Sequence, residues 1–135
     1  MTNRTLAQSY LRKANDRLDI LPLLEGKGAY SDVIREAQEI VELALKGMLR
    51  AAGIEPPKFH DVGGLLIQHR DKYPEDVARE IDRIAGISKR LRKERELSFY
   101  GDIDFLPTEE YHPEDAREAI EGANFIVAIA RRVIR

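Results

Sequence analysis

The sequence predicts an all-α fold, an antiparallel up-and-down bundle of four long helices plus one short helix, and three observations lead there. Apolar residues recur at three- and four-residue spacing through most of the chain. Glycine and proline clusters interrupt that period at 25–29, 53–58 and 100–113. No segment shows the strict two-residue alternation of a half-buried strand. The breaks leave connections of a few to about a dozen residues, which favour antiparallel neighbours.

Taken in order, the first helix is expected over residues 2–24. Leu6, Tyr10, Ala14, Leu18 and Leu21 fall on one side, and Pro22 should kink or end it because it lacks an N–H. The second runs over 31–52, with Val33, Ile34, Ala37, Ile40, Val41, Ala44, Leu45, Met48 and Leu49 in one stripe. Ser31 reads as its N-cap and Gly53 as its stop, with Pro56 and Pro57 closing the exit. A short helix over 61–69 turns Leu65 and Leu66 inward, with Asp61 as cap and His60 holding the loop. Pro74 opens a long helix whose face carries Val77, Ile81, Ile84, Ser88 and Leu91. Pro113 opens the last, with Ala116, Ala119, Ile120, Ala123, Val127, Ala130 and Ile134 inward.

Composition bounds the function. At 135 residues the chain is expected to form one domain over 1–135, with roughly two-thirds of its unfolded surface buried. No repeat, low-complexity tract or linker divides it. The absence of cysteine excludes a disulfide scaffold, a thiolate metal site and a cysteine nucleophile. No window reaches the ~18 apolar residues of a membrane span, and residues 1–10 carry no apolar export segment, so the expected location is the cytoplasm and no membrane is engaged. A formal net charge of −2 gives no global attraction to nucleic acid; any such binding has to come from a local patch.

An ordered set of motifs carries a resemblance: Tyr30-Ser31-Asp32, Ala37-Gln38, Glu42-Leu43-Ala44-Leu45-Lys46, then His60-Asp61 followed by Leu65-Leu66. With this spacing the chain resembles the HEPN domain, a helical family of bacteria and archaea with distant eukaryotic members. The resemblance implies an antiparallel bundle that acts as a homodimer. It also implies a small nucleotidyltransferase partner in toxin–antitoxin-like pairs, and binding of RNA or a nucleotide. Many members resemble metal-independent endoribonucleases whose motif is Arg, four to six residues, then His, at the end of the penultimate long helix.

Here the matching stretch reads Arg95-Glu96-Leu97-Ser98-Phe99-Tyr100, with Tyr100 where the motif has His. None of His60, His69 and His112 has an arginine at the required distance before it. Histidine suits proton transfer at neutral pH, whereas a tyrosine of ordinary pKa ~10 donates a hydrogen bond and is a poor base. Arg95 and Tyr100 are therefore expected to form a degenerate version of the catalytic pair, suited to binding more than cleavage. The alternative is an active ribonuclease toxin in which another residue supplies the base.

Lys89, Arg90, Arg92, Lys93 and Arg95 put five cations into one short run. Two readings stand. The run holds RNA phosphates, or it is a solvated helix end that favours the helix dipole and pairs with Glu94 and Glu96. Its spacing from Leu91 turns Arg95 toward the bundle or a dimer seam. Tyr100, followed by Gly101 as a left-handed stop, either folds back onto the helices or joins Arg95 in contacting phosphate or base.

Glu42 and Lys46 form an i, i+4 pair, either plain helix support or the lining of a groove between the 31–52 helix and the one opened by Pro74. No glycine-rich phosphate loop backs a nucleotide fingerprint, no histidine pair has metal-ligand spacing, and no cofactor or metal is expected. The loop after Tyr100 carries acidic Asp102, Asp104, Glu109 and Glu110 beside apolar Ile103, Phe105 and Leu106. Those three must fold onto the bundle or meet a partner.

Overall fold

A computed structural model describes residues 2–58 and 61–135. It contains α1 (Asn3–Leu18), α2 (Ile20–Gly26), α3 (Tyr30–Ala51), α4 (Val62–Gln68), α5 (Glu75–Ala78), α6 (Ile81–Phe99), α7 (Pro107–Glu110) and α8 (Pro113–Val133), with one 3₁₀ turn at Arg70–Lys72. The four long helices α1, α3, α6 and α8 are the expected bundle. No strand occurs among the described residues.

Side-chain pairs fix the directions. Arg17 near the end of α1 meets Glu36 near the start of α3, while Arg50 at the end of α3 reaches Asn3, so those two run antiparallel. Arg95 and Phe99 of α6 meet Glu39 and Arg35 of α3 in reversed order, and Arg90 of α6 meets Glu118 of α8 as Arg83 lies over Phe125. The chain thus runs up, down, up, down. By the same token α3 and α8 run parallel, and they pack directly on each other, with α1 and α6 flanking. From Tyr30 to Arg50 every residue of α3 is buried or half-buried, since α1, α6 and α8 all lie against it.

The local starts and stops differ from the sequence reading in three places. The first helix breaks at Asp19, not at Pro22, which sits in the first turn of α2 where its missing N–H has no partner to lose. Ala29, not Ser31, occupies the N-cap of α3, and Ser31 is buried inside the helix. Pro74 caps only the single turn of α5. A tightened turn, with the Glu80 N–H donated to Val77 at 2.9 Å, separates it from α6, although Val77, Ile81 and Ile84 still share the core. Phe105 folds onto the bundle, but Ile103 and Leu106 remain 93% and 56% exposed.

Other expectations match the structure. Asp61 caps α4 by accepting the Gly63 N–H at 3.1 Å, and Leu66 is buried with Leu65 packed against the core. The proposed role of His60 lies outside the described residues. Gly53 and Gly101 end α3 and α6 at φ of 78° and 73°. Around Gly101 the chain is so close that a Cβ would stand 2.6 Å from Pro107 Cδ and against the Phe105 carbonyl. No described helix is long and apolar enough to cross a membrane.

Candidate functional site

The candidate site is built at the C-terminal end of α6. Ile84, Ile87, Ser88, Leu91 and Ser98 face inward at helical spacing, which forces the intervening cations outward. All five side chains of the basic run are exposed. The three arginines are held by acids on neighbouring elements: Arg90 by Glu118 of α8 at 3.1 Å, Arg92 by Asp61 at 3.5 Å and Arg95 by Glu39 of α3 at 3.2 Å. Lys89 and Lys93 have no salt-bridge partner among the described residues. The expected pairing of the run with Glu94 and Glu96 of its own helix does not occur: Glu94 instead accepts the Tyr111 hydroxyl at 2.7 Å.

Arg95 does lie on the flank turned toward α3, but its side chain is half-exposed and tied to Glu39 rather than seated in the bundle. Glu39 also pairs with Arg35 at 3.5 Å, and the Arg35 guanidinium lies 4.8 Å from the centre of the Phe99 ring. Tyr100 does not fold back; it is 72% exposed, in an edge-to-face contact with Phe99, itself 50% exposed. A five-residue step turns about 140° around a helix, so within one chain Arg95 and Tyr100 point to different sides. By contrast Lys89, Lys93 and Tyr100, at i, i+4 and i+11, fall within about 40° of one another on the solvent face.

Glu42 and Lys46 pair at 3.5 Å, both half-buried, and Glu42 also accepts from the buried Gln38 amide at 3.3 Å. The side chains stand on α3, outside the apolar-floored cavity between α6 and α8. Tyr111, just before α8, was not singled out by sequence. It packs edge-to-face on Phe105, and burial together with the Glu94 and Asp115 carboxylates pushes its phenol well above its ordinary pKa, so it stays a hydrogen-bond donor. Glu39 was likewise missed; its one sequence signal is the i, i+4 step from Arg35.

The architecture and the motif order define the class of protein: the HEPN domain family matches residues 7–133, and the chain belongs to it. Among individual relatives, it is 24% identical over 98% of its length, and 91% of the other's, to a Methanocaldococcus jannaschii protein named "Putative toxin MJ1304". Two solved structures superpose closely. TT1696 from Thermus thermophilus gives a TM-score of 0.72 at 26% identity, covering 93% of this chain and 96% of that one. ST0689, described as an archaeal HEPN homologue, gives 0.71 at 25% identity, covering 96% and 98%.

Proposed function

We propose that this chain is a homodimeric, cytoplasmic HEPN module of a toxin–antitoxin-like pair, which binds RNA or a nucleotide on the outer face of α6 and takes a nucleotidyltransferase as its protein partner. One observation carries the RNA reading: the fold uses the arginines of the basic run as struts and leaves Lys89 and Lys93 without a salt-bridge partner among the described residues, on the same face of α6 as the exposed aromatic Tyr100 about two turns beyond Lys93. Cations that track a backbone, next to an aromatic surface on which a base stacks, suit a single strand. The exposed Ile103 and Leu106 support a dimer, since covering them removes apolar surface from water.

The test is fluorescence anisotropy with a labelled single-stranded RNA. Lys89→Gln with Lys93→Gln should weaken binding about tenfold and make the logarithmic salt slope shallower by about 1.4, two phosphates at about 0.7 each. Unchanged affinity and slope would overturn the assignment. Light scattering should give twice 15.4 kDa; a monomer at every micromolar concentration removes the dimer.

A second reading, a metal-independent endoribonuclease toxin, is favoured by the name of the Methanocaldococcus relative. Arg95 would stabilise phosphate charge in it, but Tyr100 is a poor base at neutral pH.

A further inference from the structure

A cavity of about 320 Å³ opens between α6, the α7 loop and α8, away from the face that carries Lys89, Lys93 and Tyr100. Its floor is apolar, made by Ile34, Ile87, Leu91 and Ala119 with the Phe105 and Tyr111 side chains beside them. Its rim is acidic: Glu94, Glu110, Asp115 and Glu118, with Arg90 as the lining cation. Arg90 is already paired with Glu118, and Asp115 accepts the His112 N–H at the start of α8 at 2.8 Å, so Glu94 and Glu110 are the rim carboxylates without a salt-bridge partner among the described residues.

Glu94 is the informative one. It is half-buried over the apolar floor, and its Oε2 is held at 2.7 Å by Tyr111, a phenol whose proton is kept in place by its surroundings. It has no salt-bridge partner among the described residues, although cations stand on both sides of it in sequence. A half-buried carboxylate over an apolar floor attracts a cation more strongly than one in open water, and here it is fixed in direction as well. Three chemistries fail to fit. An anion meets three like charges. A neutral apolar body leaves Glu94 uncompensated. A metal ion needs several ligands gathered at one point, and the described residues hold no such group of three acidic or histidine side chains.

We propose that this cavity binds a small organic cation, an amidinium, guanidinium or ammonium head on a compact apolar body. The head pairs with Glu94, with Glu110 and Asp115 adding field. The body lies on Leu91 and Ala119 against the edge-to-face rings of Phe105 and Tyr111, a setting that suits a cation next to π faces. The volume lies within the usual range for small-molecule sites.

The experiment titrates the ¹⁵N-labelled full chain with benzamidine, and with benzoate and benzamide as shape-matched anionic and neutral probes. Benzamidine should move the amide signals of Leu91, Phe105, Tyr111 and Ala119, benzoate should not, and benzamide should bind at least several-fold more weakly. Glu94→Gln keeps the shape and an acceptor for Tyr111, and should weaken benzamidine about tenfold, as loss of a charge-assisted contact does. Glu96→Gln, outside the cavity on the same helix, should leave it unchanged. Should Glu94→Gln not fold by circular dichroism, Glu110→Gln combined with Asp115→Asn carries the same expectation. The proposal is overturned by benzamidine leaving those amides unmoved into the millimolar range, by benzoate binding equally well, or by a folded carboxylate variant binding like the wild type.

Discussion

The Tyr73 hydroxyl donates to the Met48 carbonyl oxygen at 2.9 Å in a buried setting, tying the segment before α5 to the last turn of α3. The same carbonyl also accepts the Ala52 N–H at 3.2 Å, so losing the tyrosine leaves one of its two lone pairs unmet in a core setting with no exposure. Tyr73→Phe should therefore lower stability by about 1–2 kcal/mol. The measurement is urea unfolding, where the midpoint should fall with the slope unchanged; an unchanged midpoint removes the tie.

The same residue sets an alkaline limit. Burial raises the Tyr73 phenol above its ordinary value of 10.0, and Tyr111 is raised by burial and by Glu94. In both cases the folded state keeps a proton that the unfolded chain loses, so stability is complete below about pH 10 and falls as pH rises beyond it. Melting temperatures between pH 9 and about 11 should decline, and the decline should be shallower in Tyr73→Phe with Tyr111→Phe. A flat wild-type profile across that window would contradict both shifts.

At Gly101 the expected change is local. Alanine there meets a φ of 73° and a Cβ position 2.6 Å from Pro107 Cδ, so the 102–105 turn has to open. Gly101→Ala should cost about 1–3 kcal/mol and speed hydrogen exchange at the Phe105 amide, which bonds Asp102 O at 2.9 Å. Exchange as slow as in the wild type would show that the turn tolerates a side chain.

Position 100 also tests the ribonuclease reading. In EDTA the wild type should cleave single-stranded RNA slowly or not at all, because Arg95 alone supplies no proton acceptor. Tyr100→His restores Arg, four residues, His in sequence. Because the two side chains point to different sides of one chain, metal-independent cleavage should appear only in a dimer that brings Arg95 of one copy to position 100 of the other, and adding Arg95→Ala should silence it. Wild-type cleavage that persists in EDTA and vanishes with Arg95→Ala would replace the binding reading with the toxin one.

The long helices were legible because a buried face must repeat at helical spacing, and Val33 through Leu49 or Ala116 through Ala130 do so in plain order. Caps were legible only where one side chain decides, as at Asp61. The breaks at Asp19 and at 79–80 were not, because the apolar period runs through both, with Leu18 packed on the core and Leu21, Val77 and Ile81 buried, while only the backbone changes. At the site, the basic run itself could be read from sequence. Which of its members are spent could not: the partners of Arg90, Arg92 and Arg95 are Glu118, Asp61 and Glu39, brought there by three different elements. Which of its two readings holds for Tyr100 could not be read either, since nothing in its neighbours' periodicity distinguishes an aromatic that packs inward from one left in solvent.

The enclosure of α3 bears on how this chain tolerates change. With α1, α6 and α8 laid against it and no fully exposed residue from Tyr30 to Arg50, it has no side on which a substitution goes unnoticed by some neighbour. The outward sides of α6 and α8 are under no such restraint. New specificities are therefore expected to arise on those two helices, around an α3 whose sequence is held nearly still.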